Sequence, residues 1–326
     1  MLDFDASARP ARAPAAARQA RIAVLVPCYN EAAAIGQVVA GFRAALPDAT
    51  IYVYDNNSRD DTAAIAAAAG AQVRHERHQG KGHVVRRMFA DVEADVYVLV
   101  DGDATYDAPS APAMVERLLA EQLDMVVGAR VDRDDAAYRR GHRTGNRLLT
   151  GFVAAVFGRT FTDILSGYRV FSRRFVKSFP VLAGGFEIET ELTVHALELG
   201  MPVAEMPTPY YARGEGSASK LNTWRDGFRI LWTIIRLYKS ERPMSFFGAI
   251  GAALSTVSVV LAIPLFVTYL REGIVPRIPT AVLSTGLMLA ALLAVTCGLV
   301  LGTVTRGRRE IKRLAYLAHR APPTQP

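Results

Sequence analysis

The segment VYVLVDGD at residues 96–103 places two carboxylates directly after a continuous apolar run. An unbroken apolar run bounded by a polar turn predicts a strand buried on both faces of a parallel sheet. Asp101 and Asp103 then follow the strand one residue apart, and paired carboxylates suit a hard divalent cation such as Mg²⁺ or Mn²⁺. Acidic turns after strands are common, so the pair alone does not decide between a structural and a metal-binding role.

The same alternation of strand and helix recurs along the first part of the chain. Further apolar runs lie at residues 22–26, 51–54, 71–74 and 125–127, and helix-compatible stretches lie at 35–45, 61–69, 83–92 and 111–121. Asp60 or Asp61 can cap the second helix, and Gly70 can end it. The pattern predicts an α/β fold with a mainly parallel sheet covered on both faces. Right-handed crossovers place the carboxyl ends of such strands along one edge, where ligands bind.

Polar clusters follow three of the predicted strands at that edge. They read PCYNE at 27–31, DNNSRD at 55–60 and DGD at 101–103. Three such clusters are hard to explain by folding alone, and they predict a nucleotide site. A glycine-rich turn at 79–82 contains Lys81 and leads into a helix, where backbone N–H groups can contact phosphate. A turn that serves only the fold is an equal alternative there.

Two long stretches without a charged residue, 244–270 and 278–305, dominate the C-terminal part of the chain. Each exceeds the ~20 residues that cross ~30 Å of hydrocarbon, so they predict a transmembrane hairpin rather than a buried hairpin of a soluble protein. The connecting loop holds only Arg271 and Arg277 against Glu272. The outer flanks are far more basic, with Arg225, Arg229, Arg236, Lys239, Arg242, Arg306, Arg308, Arg309, Lys312, Arg313 and Arg320. By the positive-inside rule, both termini and the preceding domain are cytosolic.

The net charge of +7 fits lipid and phosphate better than nucleic acid, because much of the basic excess flanks the apolar stretches. Residues 222–239 place aromatic side chains at helical spacing with arginines displaced from them, which predicts an interfacial amphipathic helix. An ordinary helix packed on the domain is the alternative. Residues 1–20 have no continuous apolar core and predict a disordered tail without a signal peptide. The two cysteines, Cys28 and Cys297, fit a reducing compartment.

In this order the segments resemble the GT-A-fold glycosyltransferases of family 2 that make polyprenyl- and dolichyl-phosphate sugars. The resemblance spans about residues 21–220. It is carried by VLVPCYNE (24–31), DNNSRDDT (55–62), GKG (80–82), DGD (101–103), GAR (128–130), SGYRVF (166–171), GFEIE (185–189) and RGEGSASKL (213–221). With the apolar stretches it gives five regions: a tail at 1–20, a GT-A domain at 21–221, a juxtamembrane amphipathic helix at 222–243, two transmembrane helices at 244–305 and a basic cytosolic tail at 306–326.

The resemblance also implies roles for individual residues. Asp103 is the expected direct ligand of Mg²⁺ or Mn²⁺ with Asp101 beside it, and Asp55 is the expected contact for the base or ribose. The implied nucleotide-sugar site comprises Pro27, Tyr29, Glu31, Asp55, Asn56, Lys81, Asp101, Gly102 and Asp103. The implied acceptor-phosphate site comprises Arg130, Arg143, Arg213, Ser219 and Lys220. Catalysis is expected to depend on Asp103, Arg130, Arg213 and Lys220.

The implied reaction transfers a sugar from a nucleotide-sugar to a polyprenyl phosphate at the cytosolic face of a membrane, with inversion. A phosphate monoester has a second pKa near ~6 and is largely ionised at neutral pH, so the acceptor needs no general base. Thr105 stands where dolichyl-phosphate mannose synthases often carry Gln, which favours a UDP-sugar over GDP-mannose.

The Ala- and Arg-rich composition indicates a bacterial chain, and hence undecaprenyl phosphate and the inner membrane as acceptor and location. Two other functions stay open. One is a glycosyltransferase that acts on a hydroxyl of a saccharide or a lipid-linked glycan. The other is a catalytically silent membrane subunit that binds a nucleotide-sugar. A homo-oligomer is also left open.

Overall fold

The computed structural model describes residues 20–132, 150–151, 154, 161–181, 187–212, 232 and 235–323. Its strands are β1 (Ile22–Cys28), β2 (Thr50–Asp55), β3 (Gln72–His75), β4 (Val96–Leu99), β5 (Met125–Asp132), β6 (Arg169–Ser172) and β7 (Val203–Tyr210). Its helices are α1 (Ile35–Ala45), α2 (Thr62–Ala68), α3 (Lys81–Asp91), α4 (Ala111–Ala120), α5 (Arg173–Ser178), α6 (Ile188–Leu199), α7 (Pro243–Glu272) and α8 (Ile278–Leu317). Residues 235–241 are helical as well.

The seven strands form one sheet in the order β3-β2-β1-β4-β6-β5-β7. The β6 strand is antiparallel to β4 and β5, and the other neighbouring pairs are parallel, which confirms the predicted mainly parallel sheet. Because β6 runs the other way, its first residue, Arg169, pairs with Leu99 at the end of β4. The segment that precedes Arg169 is therefore delivered to the edge at which Asp101 and Asp103 lie.

Apolar side chains pack on both faces of the sheet, as the continuous apolar strands predict. Leu25, Tyr97 and Phe171 belong to the core on the face covered by α3, α5 and α6. Val24 and Val98 belong to the core on the face covered by α1 and α4. Adjacent residues of one strand thus point to opposite cores, which fixes the register of the sheet and the position of each strand exit.

Helix α6 carries a buried histidine inside this core. His195 is 1% exposed and packs against the rings of Phe175 and Phe179. Its Nε2 lies 3.2 Å from Ser178 Oγ, and its Nδ1 has no hydrogen-bond partner. Burial, together with the nearby ammonium of Lys312, lowers the pKa of His195 to about 3. The folded protein therefore keeps this imidazole neutral well below the pH at which the unfolded chain binds a proton.

We expect the α/β domain to lose stability as the pH falls from about 6.5 towards about 3, because over this window the unfolded chain binds a proton at His195 that the folded protein does not bind. His195 changes the free energy of unfolding by at most ~1.4 kcal/mol per pH unit. Denaturant midpoints in detergent at pH 7.5 and pH 5 measure it. His195→Leu should flatten the pH dependence, whereas His78→Gln, at an exposed histidine, should not. If the denaturant midpoint changes equally between pH 7.5 and pH 5 in all three proteins, His195 is not the source of the pH dependence.

The last two helices contain the two uncharged stretches. Helix α7 has 30 residues and helix α8 has 40, and both are long and apolar enough to cross a membrane. Most of their apolar side chains face outward, as for Phe266 (69% exposed) and Leu293 (66% exposed). The helices pack on each other through small residues, because a side chain at Gly251 would lie within 2.9 Å of Val295 Cγ2. They can form the predicted transmembrane hairpin.

The flanks of this hairpin are only partly described. Of the amphipathic helix predicted at 222–239, residues 222–231 and 233–234 lie outside the described residues. Trp232 and residues 235–241 are helical, and the side chains of Trp232 and Ile235 are exposed. Residues 306–317, expected as a basic tail, continue α8 without a break. The tail predicted at 1–20 lies outside the described residues apart from Ala20.

Candidate active site

Side-chain hydrogen bonds join the segments that follow β1 and β2. The Asn30 N–H donates to Ser58 Oγ at 2.9 Å, and the Arg59 N–H donates to Asn30 Oδ1 at 2.8 Å. The Glu31 N–H donates to Thr62 Oγ1 at 2.9 Å. The structure thus brings PCYNE and DNNSRD together, as the sheet order requires. Within PCYNE, Pro27 is buried whereas Tyr29 and Glu31 are half-buried at the rim.

Asp55, the last residue of β2, presents one carboxylate oxygen without a partner. The side chain is buried, with 5% of the residue exposed. Its Oδ2 accepts from the Ser58 N–H at 3.3 Å and lies 3.4 Å from His75 Nδ1. Its Oδ1 is buried and makes no hydrogen bond. Leaving a buried acceptor unpaired is costly, so this oxygen is suited to accept from a ligand.

Asn56 ties the exit of β2 to the start of α3. Its Nδ2 donates to the carbonyl oxygens of Glu76 and His78 at 2.9 and 2.8 Å, and its Oδ1 accepts from the Gly80 N–H at 2.7 Å. Gly80 has φ +133° and directly precedes α3, so a side chain there would be strained. The amide of Asn56 therefore holds the glycine-rich turn in place.

Lys81, the first residue of α3, lies between two carboxylates. Its Nζ is 2.5 Å from Asp101 Oδ1 and 2.5 Å from Glu189 Oε1, and its side chain is 10% exposed. Burial disfavours the charge, but Asp101 and Glu189 outweigh burial and raise the pKa of the ammonium above its usual value. The sequence predicted a phosphate contact at Lys81, with a turn that serves only the fold as an equal alternative. In the structure the Lys81 ammonium is paired with Asp101 and with Glu189 on α6.

The DGD turn is packed tightly against the first strand. A Cβ at Gly102 would lie 2.5 Å from Cys28 Sγ, so only glycine fits there. Asp103 is 5% exposed, and its Oδ1 accepts from the Thr105 hydroxyl at 2.7 Å and from the Thr105 N–H at 3.3 Å. Ala104 between them has φ +57°. The turn thus holds the Asp103 carboxylate in one orientation.

The SGYR segment before β6 packs on the other side of this turn. A Cβ at Gly167 would lie 2.5 Å from Asp101 Oδ2, and the Gly167 N–H donates to the Tyr106 hydroxyl at 2.8 Å. Burial raises the pKa of Tyr106, so its hydroxyl remains protonated. The absence of a side chain at Gly167 is what lets the segment approach Asp101. The sequence alone does not predict the close approach of Gly167 to Asp101, because that approach depends on the antiparallel β6 strand.

Arg130 on β5 is held by a two-pronged ion pair. Its Nε and Nη2 donate to Asp163 Oδ2 and Oδ1 at 2.7 and 2.8 Å, and its guanidinium lies over the Tyr210 ring at 5.5 Å. Asp163 is fixed in turn, because its N–H donates to Glu205 Oε1 at 2.8 Å. Arg130 is therefore held in one orientation on β5, the strand next to β6, and its charge is balanced by Asp163. Sequence spacing did not predict Asp163 as its partner.

Arg169 is a buried scaffold of the same edge. It is fully buried and donates to the carbonyl oxygens of Ser166 and Ile164 at 2.9 and 2.6 Å and to Thr193 Oγ1 at 2.9 Å. Burial lowers its pKa to about 10, which leaves it charged at neutral pH. Arg169 thereby fastens the SGYR segment to α6, the helix that carries Glu189.

The remaining predicted residues are not tested by the structure. Arg143, Arg213, Ser219 and Lys220 lie outside the described residues. Within the described ranges, no group of three or more His, Cys, Asp or Glu side chains could hold a metal ion. The carboxylates of Asp101 and Asp103 are hard oxygen donors that suit Mg²⁺ or Mn²⁺ when substrate phosphates complete the shell. Lys81 is paired with one oxygen of Asp101, and Thr105 donates to one oxygen of Asp103.

Comparison with known proteins assigns this arrangement to a family. The family model described as Glycosyl transferase family 2 matches residues 23–179. Glycosyltransferase AglJ of Haloferax volcanii is 37% identical over 250 residues, which cover 76% of this chain and 81% of the relative. The chain belongs to glycosyl transferase family 2. It is a glycosyltransferase by its domain, and its relatives include one that is named for dolichyl phosphate.

One such relative of this family 2 chain is the dolichyl-phosphate hexose transferase of Haloferax volcanii. It is 28% identical over 221 residues, which cover 68% of this chain and 95% of the relative. Among solved structures, glucosyl-3-phosphoglycerate synthase from Mycobacterium tuberculosis in complex with Mn²⁺, UDP and phosphoglyceric acid matches with a TM-score of 0.55. That match has 24% identity and covers 68% of this chain and 78% of the solved one. It establishes the GT-A fold.

Proposed function

We propose that the chain transfers a sugar from a nucleoside-diphosphate sugar, a UDP-sugar rather than GDP-mannose, to a polyprenyl phosphate. The observation that carries the proposal is that the candidate donor and acceptor residues lie along one edge of the sheet. Asp55 with its unpaired oxygen, the DGD turn and Arg130 all lie at the carboxyl ends of strands of the same sheet, and the domain is followed by two apolar helices. A nucleotide-sugar pocket attached to a membrane hairpin suits an acceptor that is itself a lipid.

Donor recognition in this proposal begins at Asp55. Its unpaired Oδ1 accepts an N–H of the base or a hydroxyl of the ribose, which relieves the cost of burying that oxygen alone. Solved neighbours of the same fold contain UDP with Mn²⁺ or Mg²⁺, which supports uridine as the base. Thr105, which anchors Asp103, stands where a Gln is common in mannose synthases, and this also favours a UDP-sugar.

The diphosphate of the donor lies at the DGD turn. A divalent metal held by Asp103 and Asp101 would supply charge to the leaving nucleoside diphosphate. The chain itself provides the rest: Lys81 fixes Asp101, and Thr105 fixes Asp103. Both carboxylates are therefore oriented before the donor binds, which is the condition for electrostatic stabilisation without reorganisation.

The acceptor phosphate provides the nucleophile. It is largely dianionic at neutral pH, so the site needs cations and positioning rather than a general base. Arg130 is already oriented by Asp163, and Arg143, Arg213, Ser219 and Lys220 are proposed to complete the acceptor site. Attack on the face of the sugar opposite the diphosphate inverts the anomeric centre. The basic flanks of the hairpin support a cytosolic site at a bacterial inner membrane, with undecaprenyl phosphate as acceptor.

The test is a transfer assay with the purified full-length protein in vesicles. A panel of radiolabelled UDP- and GDP-sugars is offered with undecaprenyl phosphate, with and without Mg²⁺ or Mn²⁺. The expected result is a metal-dependent lipid product that mild acid hydrolyses and that forms from a UDP-sugar. Transfer only to a saccharide hydroxyl would show the other transferase class. Binding of the nucleotide-sugar without turnover would show a silent subunit.

A further inference from the structure

The C-terminal part of α8 leaves the uncharged stretch and docks on the catalytic domain. Three carboxylates, Asp124, Glu198 and Glu241, receive it, and their side chains are 0%, 0% and 5% exposed. The residues of α8 that bind them are Arg308, Arg309, Lys312 and Tyr316, which recur at helical spacing on one face. One turn earlier on α8, the Thr305 hydroxyl donates to the carbonyl oxygen of Ser240. We call this face of α8 the docking face.

Glu198 on α6 is the most strongly engaged of the three. Its Oε1 lies 3.0 Å from Arg309 Nε, and its Oε2 lies 2.6 Å from Lys312 Nζ. Arg309 also binds Glu241 Oε2 at 3.1 Å. A buried carboxylate is tolerated only when it is paired, so these two cations are required by the fold of α6 as well as by α8.

Asp124, directly before β5, forms a second attachment. Its Oδ2 accepts from the Tyr316 hydroxyl at 2.8 Å, and the Tyr316 ring lies 4.9 Å from the guanidinium of Arg174. Arg174 Nε in turn lies 2.5 Å from Asp124 Oδ1. The two attachments lie seven residues apart on α8, about two helical turns, so they fix its direction as well as its position.

Helix α6 connects these attachments to the candidate active site. Glu189, near its first residue, binds Lys81, which holds Asp101. Glu198, near its last residue, binds the docking face. Nine residues correspond to about two and a half turns and about 13.5 Å, so the two glutamates project from opposite sides of one rigid rod. Between them, Thr193 is bound by Arg169, which fastens the rod to the sheet edge.

We propose that the docking face is a positioning element that sets the donor site at a fixed height and orientation over the bilayer, with Glu198 and Lys312 as positioning residues. This inference rests on the proposed function for its kinetic consequence, because only a membrane-embedded acceptor requires a fixed height. Helix α8 is continuous from the proposed membrane span to its contacts with α6, and α6 contacts the Lys81–Asp101 ion pair through Glu189. The position of the span in the membrane therefore restricts the position of Asp101. Lys312 and Glu198 touch neither donor nor acceptor in this scheme.

The first test is kinetic and uses the full-length protein. Lys312→Gln is compared with Arg313→Gln, which removes the same charge from an exposed position one residue further along α8. With undecaprenyl phosphate in vesicles, Lys312→Gln should raise the acceptor KM by about tenfold. With a short, water-soluble isoprenyl phosphate, both variants should stay within about twofold of the unaltered chain. Equal losses with both acceptors would mean a merely structural role and would overturn the proposal.

The second test does not depend on activity. A fluorophore on Ala44→Cys, an exposed position on α1, reports energy transfer to acceptor dyes in the lipid headgroups, in a Cys297→Ser background. Lys312→Gln should broaden the distance distribution, whereas Arg313→Gln should leave it unchanged. If Lys312→Gln leaves the distribution of fluorophore-to-headgroup distances unchanged, the inference is wrong. Failure of the proposed function would instead leave this result intact and abolish lipid product in every variant.

Discussion

Replacing Asp103 by Asn or Ala is expected to abolish sugar transfer while leaving the protein folded and membrane-bound. Asn is the sharper change, because its side-chain oxygen can still accept from the Thr105 hydroxyl that holds Asp103 at 2.7 Å. The turn then keeps its shape and loses only the negative charge. In the proposed mechanism a divalent metal and the departing diphosphate depend on that charge, so we expect kcat to fall by roughly 10³-fold or more.

The measurement is initial-rate transfer over a range of Mg²⁺ concentrations, with Mn²⁺ binding followed separately by electron paramagnetic resonance in the presence of UDP. Asp103→Asn should fail to immobilise Mn²⁺, whereas Asp61→Asn, at an exposed carboxylate after β2, should bind it normally. Near-normal activity of Asp103→Asn would count decisively against the metal role. Normal Mn²⁺ binding with lost turnover would move the ligand role to another residue.

Replacing Lys81 by Met is expected to damage both stability and catalysis. The ammonium lies 2.5 Å from Asp101 and from Glu189, so its loss leaves two carboxylates side by side in a largely buried site. Removing one partner of a buried ion pair costs about 3–5 kcal/mol. Asp101 also loses its fixed position in the DGD turn, and we expect kcat/KM to fall by about 10²-fold.

A second change separates these two effects. Glu189→Gln added to Lys81→Met removes one of the two facing charges, so the denaturant midpoint should recover while kcat/KM stays low. Arg86→Met, which removes an exposed cation from the same helix, should alter neither quantity. Full activity in Lys81→Met would show that Asp101 needs no partner. Recovery of activity together with stability in the double variant would show that the role of Lys81 is purely structural.

The sequence predicted the parts of the site that depend on local pattern. Strands that bury both faces are continuous apolar runs, and their polar exits are visible beside them, so the clusters after β1, β2 and β4 were predicted at the correct edge. The antiparallel β6 strand was not predicted, because a four-residue strand carries no signal for its direction. Its partners are β4 and β5, both distant along the chain.

Ion pairs between residues distant in sequence also could not be predicted from the local sequence pattern. Lys81 reads as a phosphate ligand from its glycine-rich turn, but its partner Glu189 is 108 residues away. Arg130 and Asp163, 33 residues apart, pair only because β6 returns the chain to β5. On α8, Arg309 and Lys312 were interpreted only as flanking charge for membrane orientation. Without the fold, nothing indicated that buried carboxylates would receive them.

In the proposed membrane-spanning arrangement, the unbroken course of α8 makes the enzyme sensitive to bilayer thickness. A helix of 40 residues is a rod of about 60 Å, and its uncharged part exceeds the ~30 Å of hydrocarbon that it must match. Such mismatch is relieved by tilting, and a change of about 10° swings the far end of the rod by about 10 Å. A domain clamped to that end swings with it. Thin and thick membranes therefore present the same catalytic machinery to the lipid surface at different angles.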